Sequence, residues 1–214
     1  MTPSEVIAEA RKLIQDTAAP YRYSDVAMLG FVNQTLKRAA VLRPDLFAVV
    51  SVFSTVAGDV MQSCPTDSIR LIDVFRVSGG NAVTEVNRST LDRTVPGWQV
   101  EAPGQPVNFM RHVRNPNKFF VYPAPVAGVT LVGEYAQTPI GYTLDQVITY
   151  PTDAYFPAIV DGVVFLAESV DNEHVNSGRA KLFQESFTQA LSVSLQSRAI
   201  TDTDASGQDA RQVI

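Results

Sequence analysis

The sequence predicts an α+β protein. A helical bundle is built from the N- and C-terminal helices, an antiparallel β-sandwich or barrel-like module is inserted between them, and a flexible C-terminal tail follows. Three observations lead there. Apolar residues recur every three or four positions in residues 1–47 and again in 151–198. Residues 48–150 instead carry short branched and aromatic runs cut by Gly, Pro and Asn. Residues 199–214 show no apolar period and are polar almost to their end. The two helical ends each present an apolar stripe, and each stripe is most simply covered by the other. This makes 1–47 and 151–198 one discontinuous domain, with 48–150 inserted and 199–214 trailing.

The first helix is expected from Ser4, as N-cap, to about Asp16, with Val6, Ile7, Ala10, Leu13 and Ile14 on one face. Ser24 caps the second, whose buried face is Met28, Leu29, Val32, Leu36, Ala39 and Ala40. It stops before Pro44, because a proline disfavours helix at the preceding residue. Six strand candidates follow: one beginning at about Ala48, then Ile69–Val77, Ala82–Val86, Val107–Val113, Phe119–Tyr122 and Val129–Tyr135. Ser78-Gly79-Gly80-Asn81 joins the second and third as a hairpin turn. Strands that do not alternate with helices argue against a doubly wound nucleotide-binding sheet. A helix from Thr152-Asp153 to about Val170 takes Pro157 in its first turn. A last helix, from Val175 to Arg198, spans about 36 Å at 1.5 Å per residue.

Composition removes several function classes. Apolar residues make up 45% and charged residues 18%, so most of the chain folds. The net charge of −5 opposes nucleic-acid binding by bulk attraction. Residues 48–150 hold seven basic and eight acidic side chains, and their arginines (among them Arg70, Arg76, Arg88, Arg93, Arg111 and Arg114) are interleaved with acids rather than massed. With Cys64 as the one cysteine, no internal disulfide and no Cys-rich zinc site can form. No apolar run reaches membrane-spanning length, and the N-terminus lacks the features of a secretory signal, so no membrane partner is expected.

No motif for chemistry emerges. Ser78-Gly79-Gly80-Asn81 lacks the lysine and helix of a phosphate loop, and there is no nucleophile elbow. Cys64, His112 and His174 have no neighbouring ligand or base pattern. Asp202, Asp204 and Asp209 with Gly207 lack the closing glutamate of a calcium loop. No cofactor, metal or catalytic residue is therefore expected, and the protein reads as a non-enzyme. Trp98, after Pro96-Gly97, is either a loop anchor packed on the sheet or an exposed partner contact. Two other functions remain open: a glycan- or ligand-binding β-module with Trp98, Tyr122 and Tyr135 as a stacking platform, and a hydrolase using carboxylates such as Asp73 and Glu134.

Several segments in order are distinctive. They are Ala10-Arg11-Lys12-Leu13-Ile14-Gln15-Asp16, Tyr21-Arg22-Tyr23-Ser24-Asp25, Val32-Asn33, Arg43-Pro44-Asp45-Leu46-Phe47, Ile69-Arg70-Leu71-Ile72-Asp73-Val74, Val83-Thr84-Glu85-Val86-Asn87-Arg88, Leu91-Asp92 with Pro96-Gly97-Trp98, and Asn117-Lys118-Phe119-Phe120-Val121-Tyr122-Pro123. Over about residues 4–195 the chain resembles the head-to-tail adaptors of short-tailed bacteriophages, the tail tubular proteins A. It departs from them at Tyr23, where Trp is common, and in its own tail. The resemblance implies a structural virion protein, made in the bacterial host cytoplasm, that forms a ring of twelve. Portal protein lies on one face and the tail nozzle on the other, and double-stranded DNA passes through the centre. Tail fibres are a further candidate partner. In that setting Trp98 becomes a loop anchor or a nozzle contact. Arg22, Arg43 and Asp45, at the ends of the N-terminal helices, either contact neighbouring subunits or brace loops within one. The tail, through Ser206, Gln208, Arg211, Gln212, Val213 and Ile214, is expected to order on assembly and reach into the portal.

Overall fold

The structure, a computed structural model, describes residues 1–170 and 178–192. The described residues form five helices and two sheets, and no sheet closes into a barrel. They divide into two compact units. One is Met1–Arg43 with the described residues of Pro139–Ile214. The other is Pro44–Thr138.

The first unit holds α1 (Pro3–Leu13), α2 (Asp25–Leu42), α4 (Phe156–Ser169) and α5 (178–192). Thr2, not Ser4, is the N-cap of α1. Its hydroxyl accepts from Glu5 N at 3.3 Å, while Glu5 Oε2 accepts from Thr2 N at 2.7 Å. Pro3 occupies the first turn, where its missing N–H costs nothing. Ser4 instead donates its hydroxyl to Leu144 O at 2.8 Å. Ser24 caps α2 by accepting from Ala27 N at 3.2 Å. A 3-10 turn, Asp153–Tyr155, leads into α4 with Pro157 in its first turn. Of the expected last helix, 178–192 is helical, and the remainder of Val175–Arg198 lies outside the described residues.

Helix α4 is apolar almost all round, with Ala158, Ile159, Val160, Val163, Val164, Leu166 and Ala167 buried, as a helix packed on several sides requires. Both α1 and α2 pack against it. Gly162 permits the close approach of α2: a Cβ there would stand 2.4 Å from Thr35 Cγ2 and 3.0 Å from Phe187. The connecting stretch before α4 is clamped by Asn33, which donates to Tyr142 O at 3.1 Å and accepts from Tyr142 N at 2.8 Å.

The second unit begins with a 3-10 turn, Pro44–Phe47, and contains two sheets. Strands β1 (Ala48–Ser54), β7 (Thr130–Gln137) and β3 (Ser68–Val77) form one, antiparallel, in the order β1-β7-β3. Strands β2 (Met61–Ser63), β6 (Lys118–Tyr122), β5 (Asn108–Arg111) and β4 (Thr84–Glu85) form the other, in the order β2-β6-β5-β4. Phe53, Leu71, Val74, Leu131 and Tyr135 from the first sheet share one apolar cluster with Phe109, Phe119 and Val121 from the second.

Two departures from the sequence expectation have physical causes. The stretch Ala82–Val86 is not a full hairpin partner of β3, and β4 runs parallel to β5 rather than antiparallel. After the turn at Gly79 (φ +70°), Ala82 bridges Arg76 and Val83 N donates to Phe75 O at 3.0 Å. The chain then changes sheet, with Thr84 N donating to Val107 O and Val86 N to Phe109 O, each at 3.0 Å. Helix α3 (Arg88–Thr94) and β2 were not expected, because seven and three residues give too little period to read.

The loop between α1 and α2 is organised by Arg11, which is 7% exposed. Its Nη1 donates to Asp16 Oδ2 at 2.6 Å, and its Nη2 to Tyr23 O and to Asp25 Oδ1, both at 2.8 Å. Asp16 Oδ1 also accepts from Arg22 N at 2.7 Å, and Tyr23 donates its hydroxyl to Ala167 O on α4 at 2.7 Å. Removing one member of such a buried pair strands the other's charge, which costs about 3–5 kcal/mol. Arg11→Ala should lose stability of that order in urea unfolding followed by circular dichroism, and a loss under about 1 kcal/mol would show that the loop is held otherwise.

Candidate functional site

Arg22, Arg43 and Asp45 flank the ends of the second helix, Arg22 and Arg43 in the first unit and Asp45 in the second. Arg22 is half-buried, and its guanidinium lies 5.0 Å from the centre of the Tyr23 ring. Arg43 is 2% exposed and donates Nη1–H to Leu191 O at 2.5 Å, joining the end of α2 to α5. Asp45 is half-buried in the 3-10 turn that opens the second unit. Ser206, Gln208, Arg211, Gln212, Val213 and Ile214 lie outside the described residues, as do His174, Asp202, Asp204 and Asp209.

Trp98 is 1% exposed. Its Nε1–H donates to Asp92 Oδ1 at 2.7 Å, and the edges or faces of Phe120 and Tyr122 meet it at nearly right angles, with centroids 6.1 and 6.4 Å away. Leu91 and Met110 complete this small cluster, so the ring packs inside the β-module rather than at its surface. Tyr135 is 5% exposed and belongs to the core between the sheets; burial, then Asp67, pushes its phenol above the ordinary value. Trp98, Tyr122 and Tyr135 therefore form no exposed stacking platform.

Arg111 was named in the sequence only among interleaved charges, yet it links the two sheets. From β5 it is held by Glu85 on β4 (Nε to Oε1 2.7 Å, Nη2 to Oε2 3.1 Å). It donates to the β3 carbonyls of Leu71 at 3.1 Å and Ile72 at 2.5 Å. A planar fork with five donors suits this task, and a lysine would not. The ring of His112 stacks on Phe120, and its Nδ1 accepts the backbone N–H of Arg114 and Asn115 at 3.2 and 3.0 Å. Its acceptor nitrogen is thereby used in shaping the β5–β6 turn. Arg11 and Asp16 were likewise not singled out; the available signal was a basic residue spaced i+4 from Ile7 on an otherwise apolar face.

Register places Asp73 opposite Glu134 on neighbouring strands, both half-exposed. Asp73 Oδ1 accepts from Val74 N at 2.7 Å, a turn-like local contact. Among the described residues there is no group of three or more His, Cys, Asp or Glu able to hold a metal ion. No described helix is long and apolar enough to cross a membrane.

These features describe a protein whose buried polar groups fix loops and join sheets. The chain belongs to the SU10 adaptor protein family, which matches residues 1–212. This is a family of phage structural proteins, consistent with a head-to-tail adaptor and not known as enzymes. A phage adaptor is a component of the virion and interacts with other head and tail proteins. No curated protein matches the chain.

Cys64 is buried, and its N–H donates to Asn117 O at 2.9 Å. Burial pushes the thiol from its ordinary 9.0 up to about 11, against a smaller opposing effect of the Ser68 hydrogen bond. A thiol protonated at neutral pH is a poor nucleophile. The folded state holds the proton more tightly than the unfolded chain does, so this contribution to stability is intact below about pH 9 and is lost as pH rises toward about 11. A disulfide-exchange reagent at pH 8 should label native protein at least tenfold more slowly than urea-unfolded protein, read by absorbance; equal rates would contradict the burial of the sulfur.

Proposed function

We propose that the protein is the head-to-tail connector of a short-tailed phage. About twelve copies form a ring between the portal protein and the tail nozzle, and the genome passes through its centre. The observation that carries this reading is the adaptor-family match across residues 1–212, nearly the whole chain. Helices of the first unit would pack side by side as a bundle, and the two-sheeted module would act as a sandwich that meets neighbours, nozzle or tail fibres. The acidic net charge of −5 suits a conduit, because a strongly basic wall would retain the phosphates it must let pass.

The tail supplies the proposed attachment arm. Its last four residues, Arg211-Gln212-Val213-Ile214, follow a polar stretch and end in two branched apolar side chains. An arm of that composition gains by ordering in a pocket or on a sheet edge of the portal, with Ser206 and Gln208 adding polar contacts. Weak arms repeated around a ring bind tightly together through effective concentration. Arg22, Arg43 and Asp45 are proposed to shape the loops that each copy presents to the next.

Negative-stain images of the protein mixed with portal rings should show closed rings stacked on the portal, and absence of any such assembly would oppose the connector reading. Deleting residues 200–214 should lower the fraction of portal rings carrying adaptor by about tenfold or more. Undiminished attachment would assign the docking to another surface while leaving the ring itself in place.

A further inference from the structure

A small cavity in the β-module is lined only by neutral and basic residues. Arg70 and Leu71 of β3, Arg111 at the end of β5, and His112, Val113 and Pro116 of the turn that follows enclose about 180 Å³. That exceeds the roughly 30 Å³ of a water molecule and falls short of the roughly 300 Å³ at which sites for drug-sized ligands begin. The space suits one side chain or one small ion. None of the six lining residues is acidic, in a chain whose acids outnumber its bases by 22 to 17.

The donors of this cavity are fixed in place by bonds outside it. The N–H groups of Arg114 and Asn115 both point at His112 Nδ1, at 3.2 and 3.0 Å, so the ring hydrogen is on Nε2. Stacking on Phe120, with centroids 5.6 Å apart, sets the plane of the ring. Among the described residues no group accepts from Nε2. Arg111 engages four of its five hydrogens with Glu85 and the carbonyls of Leu71 and Ile72, which leaves one on Nη1. Arg70 is exposed, and among the described residues its guanidinium has no ion pair or hydrogen bond. Glu85 offsets the charge of Arg111, so Arg70 supplies one uncompensated positive charge.

We infer that this cavity is a docking site for an acidic side chain, aspartate or glutamate, of a partner protein. The carboxylate accepts from the Arg70 guanidinium and from His112 Nε2–H, and hydrogen bonds assisted by charge are roughly twice as strong as neutral ones. Val113, 97% exposed, and Pro116 offer apolar surface to the methylene groups behind the carboxylate. A nucleic-acid backbone calls instead for a row of cations, whereas residues 48–150 carry seven basic against eight acidic side chains and the chain a net −5. The site belongs to a single copy and its test needs neither ring nor portal, so it and the connector reading can fail separately.

The probe is glutamate acetylated and amidated at its backbone ends, which leaves one carboxylate, titrated into the isotope-labelled full chain and followed by nuclear magnetic resonance. The side-chain signals of Arg70 and His112 should shift and saturate with a Kd below about 10 mM at low salt, and the matching glutamine probe should leave them unmoved. Arg70→Gln, checked for folding by circular dichroism, should weaken the probe at least about fivefold. Arg76→Gln removes another exposed arginine from the same strand, one that does not line the cavity, and should not. A short DNA duplex at equal phosphate concentration should shift the same signals less than the probe does. Shifts that fail to saturate, undiminished binding by Arg70→Gln, equal weakening by both variants, or stronger binding of the duplex would each overturn the inference.

Discussion

A buried guanidinium sets the geometry of the helical unit. Arg11 sits on the inward face of α1, where a charge removed from water is tolerated only if it is paired and hydrogen-bonded. Asp16, Asp25 and the carbonyl of Tyr23 provide them, and the loop from Asp16 to Asp25 has to fold back over α1 to do so. That fold-back presents the Tyr23 hydroxyl to Ala167 O and so fixes α4 against the first two helices. The apolar faces of α1, α2 and α4 provide the bulk of the burial, but apolar contact is indifferent to small slides. The polar network chooses one arrangement among several that would bury similar area.

The β-module applies the same logic with different residues. Arg111 is oriented by Glu85 and spans from β5 to the exposed carbonyls of β3. Trp98 is buried in the module with its indole N–H paired to Asp92. The family to which the chain belongs is a structural one, not known as enzymes. Side chains that elsewhere perform chemistry here hold loops and sheets in place.

The helices were legible because their signals are local. Ser24 as a cap, the stripe on α2 and the stop before Pro44 follow from residues within a turn or two of each other. Ser4 was misread because Thr2 and Ser4 are both good caps. What separates them is the glutamate three residues after Thr2, which completes a capping box. Strands were legible where branched runs were long, as in β3 and β7, and illegible in β2, which is three residues held by its neighbours. The parallel partner of β5 could not be read at all, since the sheet change at Val83 depends on bonds to Val107 and Phe109, more than twenty residues away. Of the residues singled out as sites, Trp98 carried its own signal in the preceding Pro-Gly turn. The roles of Arg11 and Arg111 rest on partners distant in sequence or on other strands.

Strand β1 follows directly on the turn that opens the second unit, and β7 ends at Gln137, one residue before that unit closes. Ala48 and Ala136 are partners in the ladder, so the first and last strands of the insert are paired within a few residues of where the chain enters and leaves it. A cassette tethered at two adjoining points asks almost nothing of the scaffold that carries it. An insert joined in this way can change in size or surface without a change in the spacing of the helices that carry it.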